Sequence, residues 1–214
     1  LLVAELERLG LRDNTIIFFV SDHGDTLGAH GGWSKRMFYE GSVKVPMIAQ
    51  FPHGENAGRV VNTPVSLLDV YPTLLEIADA PVPDDIDGVS LMPLATGSTT
   101  ERGDVFSEFC ADGVLSPCRM IQRGNYKLNY CHGHKGELYD LAADPNEMKN
   151  LIDDPTHAAI RDELLAKIME NWNPDEIDRR IRESQKRRRA LAEIRLNHEG
   201  YPWKFVTPGR GPEE

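Results

Sequence analysis

The run Ile16-Ile17-Phe18-Phe19-Val20 empties directly into Ser21-Asp22-His23-Gly24-Asp25. A fully apolar stretch of β-branched and aromatic residues reads as a central strand covered on both faces. Three ionisable side chains at the end of such a strand are costly unless a metal or an opposite charge satisfies them. Beyond Gly24, Gly28, Gly31 and Gly32 the chain reaches Lys35 in Gly32-Trp33-Ser34-Lys35. The pattern reads as two metal ligands, Asp22 and His23, at the C-terminal end of a strand, with a glycine-rich loop returning a cation to the same place.

The neighbouring segments set the fold class. Leu2, Val3, Leu6 and Leu9 repeat at a helical period, with Gly10 placed to cap the C-terminus. Helix, short turn and buried strand in that order predict an α/β sheet. Val45 to Phe51 reads as the next strand, with Pro46 near its start. A helix is predicted to open at Thr63-Pro64-Val65 and to run through Leu67, Leu68, Val70, Leu74, Leu75 and Ile77. Residues 79–103 read as loop. From Asp104 the texture changes to short strands over 105–109, 118–123, 126–131 and 137–141, with a hairpin turn at Gly124-Asn125. A helix follows from about Thr156 to Trp172, with its stripe at Ile160, Leu164, Leu165, Ile168 and Met169. A charged one follows from about Pro174 to Leu196. The expected organisation is residues 1–103 as one α/β part, 104–196 as a small α+β subdomain and 197–214 as an extended tail.

Composition narrows the classes of partner. The longest apolar run, Ile16 to Val20, is far too short to span a bilayer, so no membrane is expected as a partner. A net charge of −10 argues against nucleic acid. Lys186-Arg187-Arg188-Arg189 is the local exception, and on a helix these four point in all directions and read as a solvated face. Cys110, Cys118 and Cys131 are an odd set without C-x-x-C spacing, which predicts free thiols and a reducing, cytoplasmic compartment. Residue 1 is Leu and sits inside an amphipathic helix, so the chain is expected to be the C-terminal part of a longer one.

Three blocks carry a family resemblance: Ser21 to Asp25, Leu27 to Lys35, and Phe38-Tyr39-Glu40-Gly41-Ser42-Val43-Lys44-Val45-Pro46. Together they resemble the second half of a sulfatase, a member of the alkaline-phosphatase-like superfamily. Met120 to Lys127, Leu138 to Leu141, Asp144-Pro145-Asn146-Glu147, and the run through Glu183-Ser184-Gln185 to Pro202-Trp203 are similar to choline sulfatases in particular. The resemblance implies the C-terminal part of an α/β sandwich, a central mixed sheet flanked by helices, plus a small antiparallel sheet with C-terminal helices.

It also implies a chemistry. Asp22 and His23 would complete a divalent metal site with acidic residues from an upstream half. The hard oxygen of Asp22 suits calcium, magnesium or manganese, and the softer nitrogen of His23 tilts the choice towards manganese or a site permissive for several ions. Asp25 is either an orienter of His23 or a turn carboxylate. Lys35 would neutralise the developing oxyanion and ease loss of the alkoxide. His30 is either a proton donor lining the pocket or a packing element; Trp33 and Tyr39 read as wall or core. Family sulfatases attack with a formylglycine made from a cysteine in a specific motif, and neither Cys110, Cys118 nor Cys131 stands in that motif. The nucleophile would come from the upstream half. For a choline substrate, Asp112 in Ala111-Asp112-Gly113 is a candidate cation contact. Trp203 is a second substrate-binding candidate, although Lys204 follows it where choline sulfatases carry an acid. The aromatic tail has no core of its own and suggests a homo-oligomer. The implied activity is hydrolysis of a small sulfate ester. The rival readings are a phosphonate or phosphate ester hydrolase on the same fold, and a non-catalytic accessory subunit.

Overall fold

Helix α1 (Leu2–Arg8) stops where the glycine predicts. Gly10 takes φ 70°, a left-handed backbone that costs glycine nothing, and the Leu11 N–H reaches back to the Leu6 carbonyl at 2.9 Å. The computed structural model describes residues 1–110 and 114–196. They fall into two compact units that divide between Trp172 and Asn173.

In the first unit, β1 (Ile17–Val20) pairs antiparallel with β2 (Met47–Gln50), placing Phe19 opposite Ile48. The expectation that this strand is covered on both faces is corrected: Phe19 is 61% and Ile48 60% exposed. Among the described residues the two strands form a sheet by themselves, so no layer lies on either side chain. Their apolar surfaces and outer edges are those that a larger sheet and its flanking helices would cover.

Helix α2 (Glu40–Val43) lies between the two strands in sequence. The helix predicted from Thr63 begins later, as a turn at Leu67–Asp69 that leads into α3 (Val70–Ile77). Ser66 and Asp69 explain the delay. They form a capping box in which each side chain accepts from the other end of the turn, and such a box sets the first helical residue. Pro72 sits in the first turn of α3, where its missing N–H is not needed. Inside the stretch read as loop is a short helix, α4 (Met92–Thr96), started by Pro93 and stopped by Gly97 at φ 85°.

The four predicted short strands form one antiparallel meander: β3 (Val105–Phe109), β4 (Cys118–Arg123), β5 (Tyr126–Cys131) and β6 (Glu137–Asp140). Gly124-Asn125 is the two-residue turn between β4 and β5. Register lines up Phe106, Ile121, Leu128 and Leu138 across the sheet. Helix α5 (Ala158–Met169) packs on β4 and β5 and buries Leu164 and Ile168 completely. Arg119 donates to the Ile168 carbonyl at 2.8 Å, which fixes α5 to the face that also carries Ile121. The opposite face presents Lys127, Asn129 and Tyr139, since side chains alternate along a strand.

The thiol expectation also needs correction. Cys118 and Cys131 are directly opposite in the β4–β5 register and joined as a disulfide, with Cα atoms 4.1 Å apart; Cys110 is a free thiol. Spacing in sequence hid the pair because the Gly124 turn folds the chain back on itself. In the second unit, α6 (Pro174–Leu196) opens on Pro174 with the Asn173 side chain accepting from the Glu176 N–H at 3.1 Å. Ion pairs one turn apart, such as Arg179 with Glu176 and Glu183, line its surface. No helix among the described residues is long and apolar enough to cross a membrane.

Candidate metal centre

The end of β1 delivers two donor atoms to one spot. Asp22 Oδ2 lies 3.4 Å from His23 Nε2, with the Asp22 side chain 82% and the His23 side chain 40% exposed. His23 Nδ1 is 2.8 Å from the Gly24 carbonyl oxygen. A carbonyl can only accept, so Nδ1 carries a proton, and Nε2 is the ring nitrogen available to a metal when the ring is neutral. Two donors at right angles around a divalent ion stand about 3 Å apart, close to the separation seen here. The residues fit a metal, and the Gly24 carbonyl supplies the partner that orients a metal-bound imidazole. Among the described residues no cluster of three His, Cys, Asp or Glu side chains completes a ligand set.

The loop behind these donors is tightly built. Gly24 donates its N–H to the Ser42 carbonyl at 2.8 Å, so α2 backs the 21–25 loop directly. Asp25 Oδ1 accepts from the Leu27 N–H at 2.9 Å and the Ser34 N–H at 3.1 Å; it closes the glycine loop as a turn carboxylate. Thr26 Oγ1 reaches the carbonyls of Gly32 and Ser34 at 2.8 and 2.9 Å. These bonds set the stem from which Lys35 projects.

Asp22, His23 and Lys35 line one open cavity of about 1440 Å³, together with Phe18, Ser42 and Val43. His30 does not line it. Its ring stacks on Tyr39 at 3.8 Å between centroids and 9° between planes, which puts it in the packing role. Tyr39 does not line the cavity either; it packs under His30 and donates its hydroxyl to Glu137 at 2.8 Å. Burial, reinforced by that carboxylate, pushes its phenol up to about 12. Trp33 is 73% exposed and lies over Gly28. Asp112 and Trp203 lie outside the described residues.

One group escaped the sequence reading. Lys127 is fully buried between two carboxylates, 2.8 Å from Glu40 Oε1 and 2.5 Å from Glu147 Oε1. Glu147 Oε2 also accepts the Glu40 N–H at 2.6 Å. A lysine within the strand run 126–131 was the available signal.

The family model for the C-terminal region of N-sulphoglucosamine sulphohydrolase matches residues 28–173. The chain belongs to the sulfatase family. It is 38% identical to the choline-sulfatase of Rhizobium meliloti (strain 1021) over 213 residues, which cover 94% of this chain and 40% of that protein. The structure of BT4656 in complex with its substrate D-glucosamine-2-N,6-O-disulfate superposes with a TM-score of 0.71 at 30% identity, covering 82% of this chain and 38% of that one. The phosphonate monoester hydrolase of Agrobacterium radiobacter gives 0.69 at 31%, covering 79% and 37%. The alkaline-phosphatase-like α/β fold expected from the motifs is therefore present. The chain spans less than half the length of the relatives it matches.

Proposed function

We propose that this chain is the C-terminal part of a sulfuric ester hydrolase, a metal- and formylglycine-dependent sulfatase acting on a small sulfate ester such as choline sulfate. The observation that carries the reading is the 3.4 Å approach of Asp22 Oδ2 to His23 Nε2 in a cavity that Lys35 also lines. A bound divalent ion (manganese, calcium or magnesium) would polarise the sulfate oxygens. Asp22 offers it a hard oxygen, and His23 offers Nε2, its tautomer held by the Gly24 carbonyl. The Lys35 ammonium opposes charge gathering on the sulfate and on the departing alkoxide. The formylglycine has no source among Cys110, Cys118 and Cys131. None stands in the required motif, and two of them are joined to each other. Asp112 and Trp203 are proposed as contacts to the substrate's cationic group, and residues 197–214 as an oligomerising tail.

The likeness to a phosphonate monoester hydrolase supports a second reading, a phosphonate or phosphate ester hydrolase using the same donors. One experiment addresses both. The full-length protein is loaded with Mn²⁺ or Ca²⁺ and assayed on choline sulfate, an aryl sulfate and a phosphonate monoester. The sulfate esters should be turned over faster, and Asp22→Ala should lower kcat/KM at least about 100-fold while leaving the circular-dichroism spectrum unchanged. Faster phosphonate turnover selects the second reading; full activity in Asp22→Ala overturns the site.

A further inference from the structure

Lys127 occupies the centre of the meander, where an apolar side chain would cost less. A buried ion cluster is often no more stabilising than well-packed hydrophobic residues of the same size, so stability alone does not account for a lysine here and the contacts it makes become the question. Its two carboxylates lead in one direction. Glu147 Oε2 holds the N–H of Glu40, the first residue of α2, and Glu40 Oε1 returns to the same ammonium. Glu147 itself sits at φ 55°, an unfavourable backbone for a residue with a Cβ, and such strain persists only where its surroundings impose it. Next to this clamp Tyr39 is tied to β6 through Glu137, whose other oxygen accepts from Asn129 on β5 at 3.1 Å. Two residues into α2, the Ser42 carbonyl accepts the Gly24 N–H, and the Gly24 carbonyl in turn fixes His23 Nδ1. The path from a buried ammonium to the imidazole is continuous, each link between 2.5 and 2.8 Å.

We infer that Lys127 is a positioning residue for the metal loop: together with Glu147 it clamps the start of α2, and α2 holds His23 in its ligating orientation. The inference rests on Asp22 and His23 being metal ligands. Without the ammonium, Glu147 loses the cation beside it and Glu40 keeps only the exposed Lys44 at 3.7 Å, so the two carboxylates repel and the start of α2 is pushed from the sheet.

The test is Mn²⁺ titration of the metal-stripped full-length protein, following the bound ion by its paramagnetic resonance, alongside thermal unfolding of the metal-free form. Lys127→Met should raise the Mn²⁺ dissociation constant roughly 10- to 100-fold, and Glu147→Gln by about tenfold, the range for groups that orient a ligand. Leu164→Ala, which empties a core position on α5, is the control: it should lower the unfolding temperature and leave Mn²⁺ affinity at the wild-type value. Wild-type affinity in Lys127→Met overturns the inference, as does an equal loss of affinity in Leu164→Ala. If Lys127→Met does not fold, unchanged affinity in Glu147→Gln overturns it. Failure of the metal reading looks different: Mn²⁺ affinity would then be indifferent to Asp22→Ala.

Discussion

Gly24 lies so close to α2 that a Cβ on it would stand 2.1 Å from the Gly41 carbonyl oxygen. Real Cβ atoms do not approach backbone to that distance, so Gly24→Ala must displace either the 21–25 loop or α2. A displacement near 1 Å costs about 100-fold in a positioned reaction. The variant full-length protein should lose that much kcat/KM and also bind metal more weakly, which titration with Mn²⁺ would show. An active, tightly binding Gly24→Ala would mean that α2 does not support the site.

Asp69 is completely buried and accepts from the Ser66 and Val89 N–H groups, and both its oxygens accept from the Nε–Nη2 edge of the Arg102 guanidinium. Removing one partner of such a pair leaves a buried charge uncompensated. Asp69→Ala should therefore cost about 3–5 kcal/mol. Denaturant titration reads this directly, and a shift below 1 kcal/mol would contradict it.

Tyr39 should make stability fall at high pH. Its folded-state phenol titrates at about 12, above an unfolded value near 10. Between those values the folded protein holds a proton that the unfolded chain has released. The contribution is thus complete below pH 10 and is lost as pH rises towards 12. Tyr39→Phe should show a shallower loss across that window in denaturant melts, and an unchanged slope would count against the assignment.

Removing residues 197–214 from the full-length protein should weaken subunit assembly, because Tyr201-Pro202-Trp203 brings aromatic surface without enough sequence around it to bury it. Sedimentation velocity at micromolar concentration distinguishes the outcomes; identical profiles for both forms remove the tail from the interface.

The meander was readable to within a residue because its strands are short and rich in β-forming residues and are linked by turn residues; even the two-residue turn at Gly124-Asn125 came from local chemistry alone. Asp22 and His23 stood out as candidates because charge at the end of an apolar strand is a local anomaly, and the structure places their side chains 3.4 Å apart. What stayed hidden depends on contacts between distant segments. The Lys127 clamp joins residues 40, 127 and 147, and no window of sequence contains all three. Cys118 and Cys131 become neighbours only once the hairpin closes. The exposure of Phe19 runs the other way: its apolarity states what the strand requires, while the described residues do not supply it.

The meander and the strand pair differ in how far apart along the chain their partners lie. β4 meets β5 across two residues, whereas β1 meets β2 only after the whole glycine loop and α2 have been traversed. Short-range pairing is fast and long-range closure slow, so during folding the four-stranded sheet is expected to come first and to serve as the template against which the loop bearing Asp22 and His23 is later ordered.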